Sequence, residues 1–220
     1  MTLERRIAAE FIGTAMLLAV VVGSGIMGER LAGGNVALAL LANSLATGGG
    51  LIALLVLFGP VSGAHLNPTV TLALAATRRH EWRDVPGYVS AQFAGGVVGV
   101  WIAHAMFAEP LPQISQKLRS GLPLMFSETV ATFGLLLIIL GCIRHRPQAV
   151  PQVVALYIVA AYWFTASTSF ANPAVTVARS LTDTFAGIRP LDAPGFIAAQ
   201  AIGAVLAALA DHWLHRKAEA

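Results

Sequence analysis

One cysteine in 220 residues, and formal charge on only 11% of the side chains, set the first limits on this chain. The lone thiol, Cys142, has no partner for an internal disulfide or a cysteine metal site, and within its apolar run it reads as a small buried residue. Soluble domains carry roughly 25% charged residues, so a soluble globular protein is argued against. Asp, Glu, Lys and Arg are missing altogether from residues 31–77 and again from 147–178. What is present instead is 56% hydrophobic residues, 21 glycines and a mean hydropathy of +0.72. That balance excludes disorder, collagen and a disulfide scaffold, and fits a polytopic helical membrane protein. The net charge of +3 does not point to nucleic acid, because the basic residues cluster at the ends of apolar segments and read as topology signals.

The N-terminus begins like a signal peptide, but its apolar run contains Glu10 and continues to about Met27 without an Ala-x-Ala-like cleavage site. It is read as a retained first helix. A bilayer core about 30 Å thick needs about 20 apolar residues per helix. Six spans follow, at residues 7–28, 35–57, 85–107, 123–143, 150–169 and 194–214. The two charge-free stretches each exceed one span, and a full helix followed by a re-entrant half-helix fits both. Arg5, Arg6, Arg78, Arg79, Arg83, Arg144, Arg146, Arg216 and Lys217 fall on one side, against Arg30, Lys117, Arg119, Arg179 and Arg189 on the other. Nine against five places both termini in the cytoplasm.

Three short patterns recur in the same order. They are EFIGT (10–14) and ETVAT (128–132), NPTVTLA (67–73) and NPAVTVA (172–178), and AQFAG (91–95) and AQAIG (199–203). The chain is therefore read as one transmembrane domain, 1–220, made of a first repeat, 1–110, and a second, 120–220. With three spans per half, the second repeat enters the membrane inverted, an arrangement built around a midplane site.

Proline suits the first turn of a helix and the preceding asparagine suits its N-cap. Asn67, Pro68 and Thr69, with Asn172, Pro173 and Ala174, thus form the expected pore centre, where two half-helix N-termini meet. Their partial positive charges repel cations while the amides donate to a passing oxygen. Glu10 and Glu128 sit inside apolar helices. A proton-relay role is one reading; the reading carried forward is support, each carboxylate accepting backbone N–H groups of the irregular segment before its half-helix. Gln92 and Gln200 read as interhelical polar glue, and Gly95, Gly99 and Gly203 as close-packing positions. His65 is either a pore ligand or a loop-fixing hydrogen bonder. His80-Glu81 lacks the second His of a zinc helix. No catalytic set, metal site, cofactor or nucleic-acid partner is expected.

SGAHLNPTVT and SFANPAVT, with the two glutamate patterns, resemble the aquaporin and aquaglyceroporin (major intrinsic protein) family over nearly the whole chain. The resemblance implies an all-α membrane fold of six helices and two re-entrant half-helices, one pore per protomer, a homotetramer, and lipid and small neutral solutes as partners. Thr69 stands where the family usually has Ala. Val175 stands where it usually has the Arg of an outer constriction; offsets carry the other constriction positions to Thr47, Ala160 and Ser169. Arg179, one turn beyond Val175, either places charge at the outer mouth or pairs with lipid or a loop carboxylate such as Asp183. The segment STSFANPAVTVARSLTDTFAGI resembles a bacterial branch associated with arsenic resistance, which implies a bacterial inner membrane. The expected function is a passive channel for glycerol-sized polyols, trivalent arsenic or antimony hydroxides or other metalloids, with organoarsenicals and water as further candidates. A water-selective channel and a coupled secondary transporter are the alternatives. The latter usually needs an ionisable or cation-coordinating midplane group.

Overall fold

In the computed structural model, which describes residues 1–215, eight α-helices follow one another and no strand occurs among the described residues. They are α1 (Leu3–Leu31), α2 (Val36–Ser62), α3 (Pro68–Ala76), α4 (Val85–Phe107), α5 (Leu122–His145), α6 (Val150–Phe164), α7 (Pro173–Arg179) and α8 (Ala193–Leu214). Arg216 and Lys217, counted above for orientation, lie outside the described residues, as does the end of the second repeat.

Proline punctuates these elements. Six helices open with one in the first turn: Pro68, Pro86, Pro123, Pro151, Pro173 and Pro194. Its preset φ starts a helix without forfeiting a hydrogen bond. Between α1 and α2 the chain reverses through Gly33 and Gly34, at φ of 56° and 87°, after which the Asn35 side chain caps α2 by accepting from Leu38 N at 3.1 Å.

Among the described residues, five helices are long and apolar enough to span a membrane. The sixth expected span is shorter than its sequence suggests: α6 has 15 residues and stops at Phe164, five short of residue 169, with a 3₁₀ turn at Pro147–Ala149 ahead of it. Thr165 turns extended at φ −108°, and the residues after it form an irregular loop instead of more helix.

Small residues bring the long helices together. A Cβ on Gly95 would run into the carbonyl of Phe11, one on Gly99 into that of Ala15, and one on Gly203 into that of Thr129. The α1–α4 and α5–α8 pairs therefore approach backbone to backbone. Outward faces carry Leu41, Leu45, Val56, Leu57, Leu206 and Leu209, all exposed, as lipid contact requires. Among the described residues, ion pairs form at the two ends. At one end Arg6 meets Asp84 at 2.8 Å and Arg144 meets Asp211 at 3.1 Å; at the other Arg30 meets Glu109 at 2.8 Å.

Candidate functional site

Two loops enter the bundle, residues 63–67 ahead of α3 and 168–172 ahead of α7, and they share one backbone course. Left-handed φ values occur at Gly63 (89°), Ala64 (48°) and Leu66 (49°), and at Thr168 (62°), Ser169 (49°) and Ala171 (47°). Counted back from the capping asparagine, these are the same three positions in each loop. Most of them are not glycine, so the surroundings must hold a sparsely populated conformation.

A buried carboxylate does so on each side. Glu10 Oε1 accepts from Ser62 Oγ (2.6 Å) and His65 N (2.9 Å), and its Oε2 from Leu66 N and Gln92 Nε2, both 2.7 Å. Glu128 accepts from Phe170 N (2.8 Å), Ala171 N (2.9 Å) and Gln200 Nε2 (2.7 Å). The two glutamines also donate, at 3.0 Å, to Thr71 and Thr176, whose hydroxyls bond back to the Asn67 and Asn172 carbonyls. Each set ties one long-helix carboxylate, one loop and one half-helix into a connected network.

The asparagines cap and cross-link at once. Asn67 Oδ1 accepts from Thr69 N at 2.9 Å, and Asn172 Oδ1 from Ala174 N at 3.0 Å and Val175 N at 3.3 Å. That fixes the amide orientation, since each oxygen is spent on a cap. Asn67 Nδ2 then donates to the Ala171 carbonyl and Asn172 Nδ2 to the Leu66 carbonyl, both at 2.8 Å. Each amide keeps one N–H with no partner among the described residues, and both asparagines line the same lumen.

That lumen is walled by rows of residues four apart: Thr47, Leu51 and Leu55 on α2, Leu135, Ile139 and Ile143 on α5, and Val150, Val154, Ile158 and Tyr162 on α6. On the second loop and α7 the row is Ala171, Val175 and Arg179. The wall is mostly apolar, with polar groups concentrated at the asparagines and near Thr47, Tyr162, Ser169 and Arg179.

Sequence-derived positions fall inside and outside this wall. Thr47, His65, Asn67, Ser169, Asn172, Val175 and Arg179 line it. Pro68, Thr69, Pro173 and Ala174 are buried behind it and set the helix starts. Ala160 is corrected outright: it is exposed on the outer side of α6. It stands two residues from both Ile158 and Tyr162, and about 100° of rotation per residue carries it to the opposite face. Tyr162, which the offset missed, lines the lumen instead, its hydroxyl 3.3 Å from Thr47 Oγ1. The four-residue spacing Val150, Val154, Ile158, Tyr162 was the available signal. Arg179 does not pair with Asp183, which instead accepts from Gln116 N at 2.8 Å. Its Nε donates to the Ala186 carbonyl, and its guanidinium stacks 3.4 Å from the centre of the Phe170 ring. His65 Nδ1 lies 3.0 Å from Thr71 Oγ1, and its ring packs on His80 and Tyr88.

Comparison with known proteins places these features in company. Residues 1–169 match the family model described as major intrinsic protein. The aquaglyceroporin AqpS of Rhizobium meliloti is 53% identical, over 96% of this chain and 91% of its own. The aquaporin AqpM of Methanothermobacter thermautotrophicus is 30% identical, over 97% and 98%. The X-ray structure of the aquaglyceroporin from Plasmodium falciparum matches with a TM-score of 0.69 over 98% of this chain and 96% of that one, at 19% identity, a likeness of fold.

Proposed function

The chain belongs to the major intrinsic protein family, and on that footing we propose that it is a passive facilitator with a wide, uncharged constriction at Val175. It is a membrane channel for small neutral solutes and not an enzyme. The finer reading is that it passes glycerol-sized polyols and the trivalent hydroxides of arsenic or antimony. One observation carries it: Val175, directly after Asn172-Pro173-Ala174, is on the lumen wall, where a guanidinium would narrow the opening and Val does not. Thr47 and Ser169 complete the constriction with hydroxyls and no charge. Arsenous acid is neutral near pH 7, and its three hydroxyls present the donors and acceptors of a small polyol. The name of the Rhizobium relative, an aquaglyceroporin, supports a lumen wider than water requires.

The reading extends to the setting. The channel is a multi-pass protein of a bacterial inner membrane, with both termini cytoplasmic, on the nine-to-five bias of Lys and Arg. Residues 1–110 and 120–220 act as inverted halves, supported by the matched glutamate and asparagine networks. Protomers assemble as homotetramers, a proposal that rests on family resemblance.

Stopped-flow measurements on proteoliposomes test this with water, glycerol, urea and arsenous acid, each with and without an ion gradient. Glycerol and arsenous acid flux that needs no gradient and saturates poorly is expected. Water flux alone would leave a water-selective pore, and flux that requires a proton or sodium gradient would make the protein a transporter.

A further inference from the structure

Arg179 is a cation in the channel wall without a contacting carboxylate. Only 3% of it is exposed, it lies one turn beyond Val175 on the same wall row, and none of the ion pairs among the described residues includes it. What holds it is neutral: the Ala186 carbonyl, the face of Phe170 and the C-terminal turn of α7. These offset desolvation without cancelling the charge. A second guanidinium reinforces it. Arg119, on the loop before α5, lies 5.2 Å from the same ring and donates to the carbonyls of Gly187 (2.8 Å) and Ser167 (3.3 Å). The nearby carboxylates are engaged elsewhere. Asp192 bonds Arg189 and the Arg119 backbone, and Glu128 spends its oxygens on Phe170 N, Ala171 N and Gln200. Two guanidiniums thus flank Phe170, with the carboxylate of Glu128 behind the loop.

The donors of Arg179 are also available. Nε is used, while neither Nη makes a hydrogen bond among the described residues. Arg179 itself is part of the lumen wall. Beside it Ser169 lines the same lumen, and its Oγ is buried with no hydrogen-bond partner among the described residues. Tyr162 and Thr47 bring two further hydroxyls to the wall.

We propose that Arg179, with Ser169, is the charge-selecting site of this channel, set one helical turn outside Val175, where it repels cations and donates hydrogen bonds to solute oxygens. This rests on the channel reading and divides a constriction into two parts: Val175 limits width and Arg179 sets charge. A field of fixed sign at a dehydrating passage is what excludes sodium and hydronium, and moving it outward keeps the exclusion while the opening at Val175 stays wide. The solutes favoured are neutral and rich in acceptor oxygens.

The test compares sodium and proton leak with glycerol flux in proteoliposomes of matched protein content, for the wild type, Arg179→Lys and Arg179→Gln. Arg179→Lys should leak like the wild type. Arg179→Gln, which keeps donors and loses charge, should raise the ratio of cation leak to glycerol flux at least tenfold. Cation leak in assembled Arg179→Gln equal to wild type overturns the proposal. Wild-type glycerol flux no greater than that of protein-free vesicles would overturn the channel reading instead.

Discussion

Asn67 and Asn172 each donate a side-chain hydrogen bond to the carbonyl immediately preceding the other, at 2.8 Å in both directions. The exchange locks the two half-helices end to end and leaves each amide one N–H without a partner among the described residues. Both asparagines do two things with one amide: cap and cross-link.

Asp at either position keeps the cap acceptor, removes both donors and adds a charge. Neutral-solute flux should fall and cation leak rise in Asn67→Asp and Asn172→Asp, measured in the same vesicles by light scattering and a sodium indicator. Well-assembled variants with unchanged flux and leak would show that the pair lies off the solute path.

Glu128→Ala leaves Phe170 N, Ala171 N and Gln200 Nε2 without their acceptor, at about 1–3 kcal/mol for each buried donor. Glu128→Gln retains one acceptor oxygen. Thermal unfolding in detergent should therefore place Ala well below Gln, and Gln below wild type. If the Gln variant assembles stably but loses flux together with pH-gradient coupling, the carboxylate carries protons and the protein is a transporter.

Val175→Arg puts a guanidinium at the proposed constriction. Glycerol and arsenous acid permeability should drop several-fold more than water permeability. An unchanged ratio of the two would move the constriction to Thr47, Tyr162 or Ser169.

Gly99→Ala drives a methyl into the Ala15 carbonyl and the Leu18 side chain, and should cost about 1–3 kcal/mol by overpacking the α1–α4 contact. Gly141→Ala, where a Cβ meets nothing within 4 Å, is the control and should be neutral or stabilising by roughly 0.5–1 kcal/mol. Equal unfolding temperatures for the two would mean the helices can part to admit a methyl group.

His80, on the connector between α3 and α4, is held below its ordinary pKa by burial and by the charge of Arg6, with Asp84 and Glu81 opposing. The folded state then binds fewer protons than the unfolded state. Its contribution is fully present above the unfolded value near 6.5 and is lost as pH falls toward the folded value. Unfolding temperature should fall between pH 7.5 and 5, and His80→Gln should flatten the slope; parallel slopes would assign the effect to another group.

The span count, the half-helix starts and the tight glycine contacts rest on local chemistry. A run of apolar residues measures itself against the bilayer, and Asn-Pro starts a helix wherever it stands. The end of α6 was not legible in this way, because the residues after Phe164 carry no charge to mark a helix end and yet form the irregular loop. Nor was the face of α6. A two-residue offset, harmless for locating a helix, turns the side chain through about 200° and exchanges Tyr162 for Ala160. The partners of Arg179 were likewise decided only by folding, which brings it against Phe170 and the Ala186 carbonyl while Asp183, close in sequence, turns to Gln116. Local periodicity determines where helices begin and how many there are; which side chains meet across the lumen depends on rotational phase and on contacts such as Asn67 to Ala171, 104 residues apart, which exist only in the packed bundle.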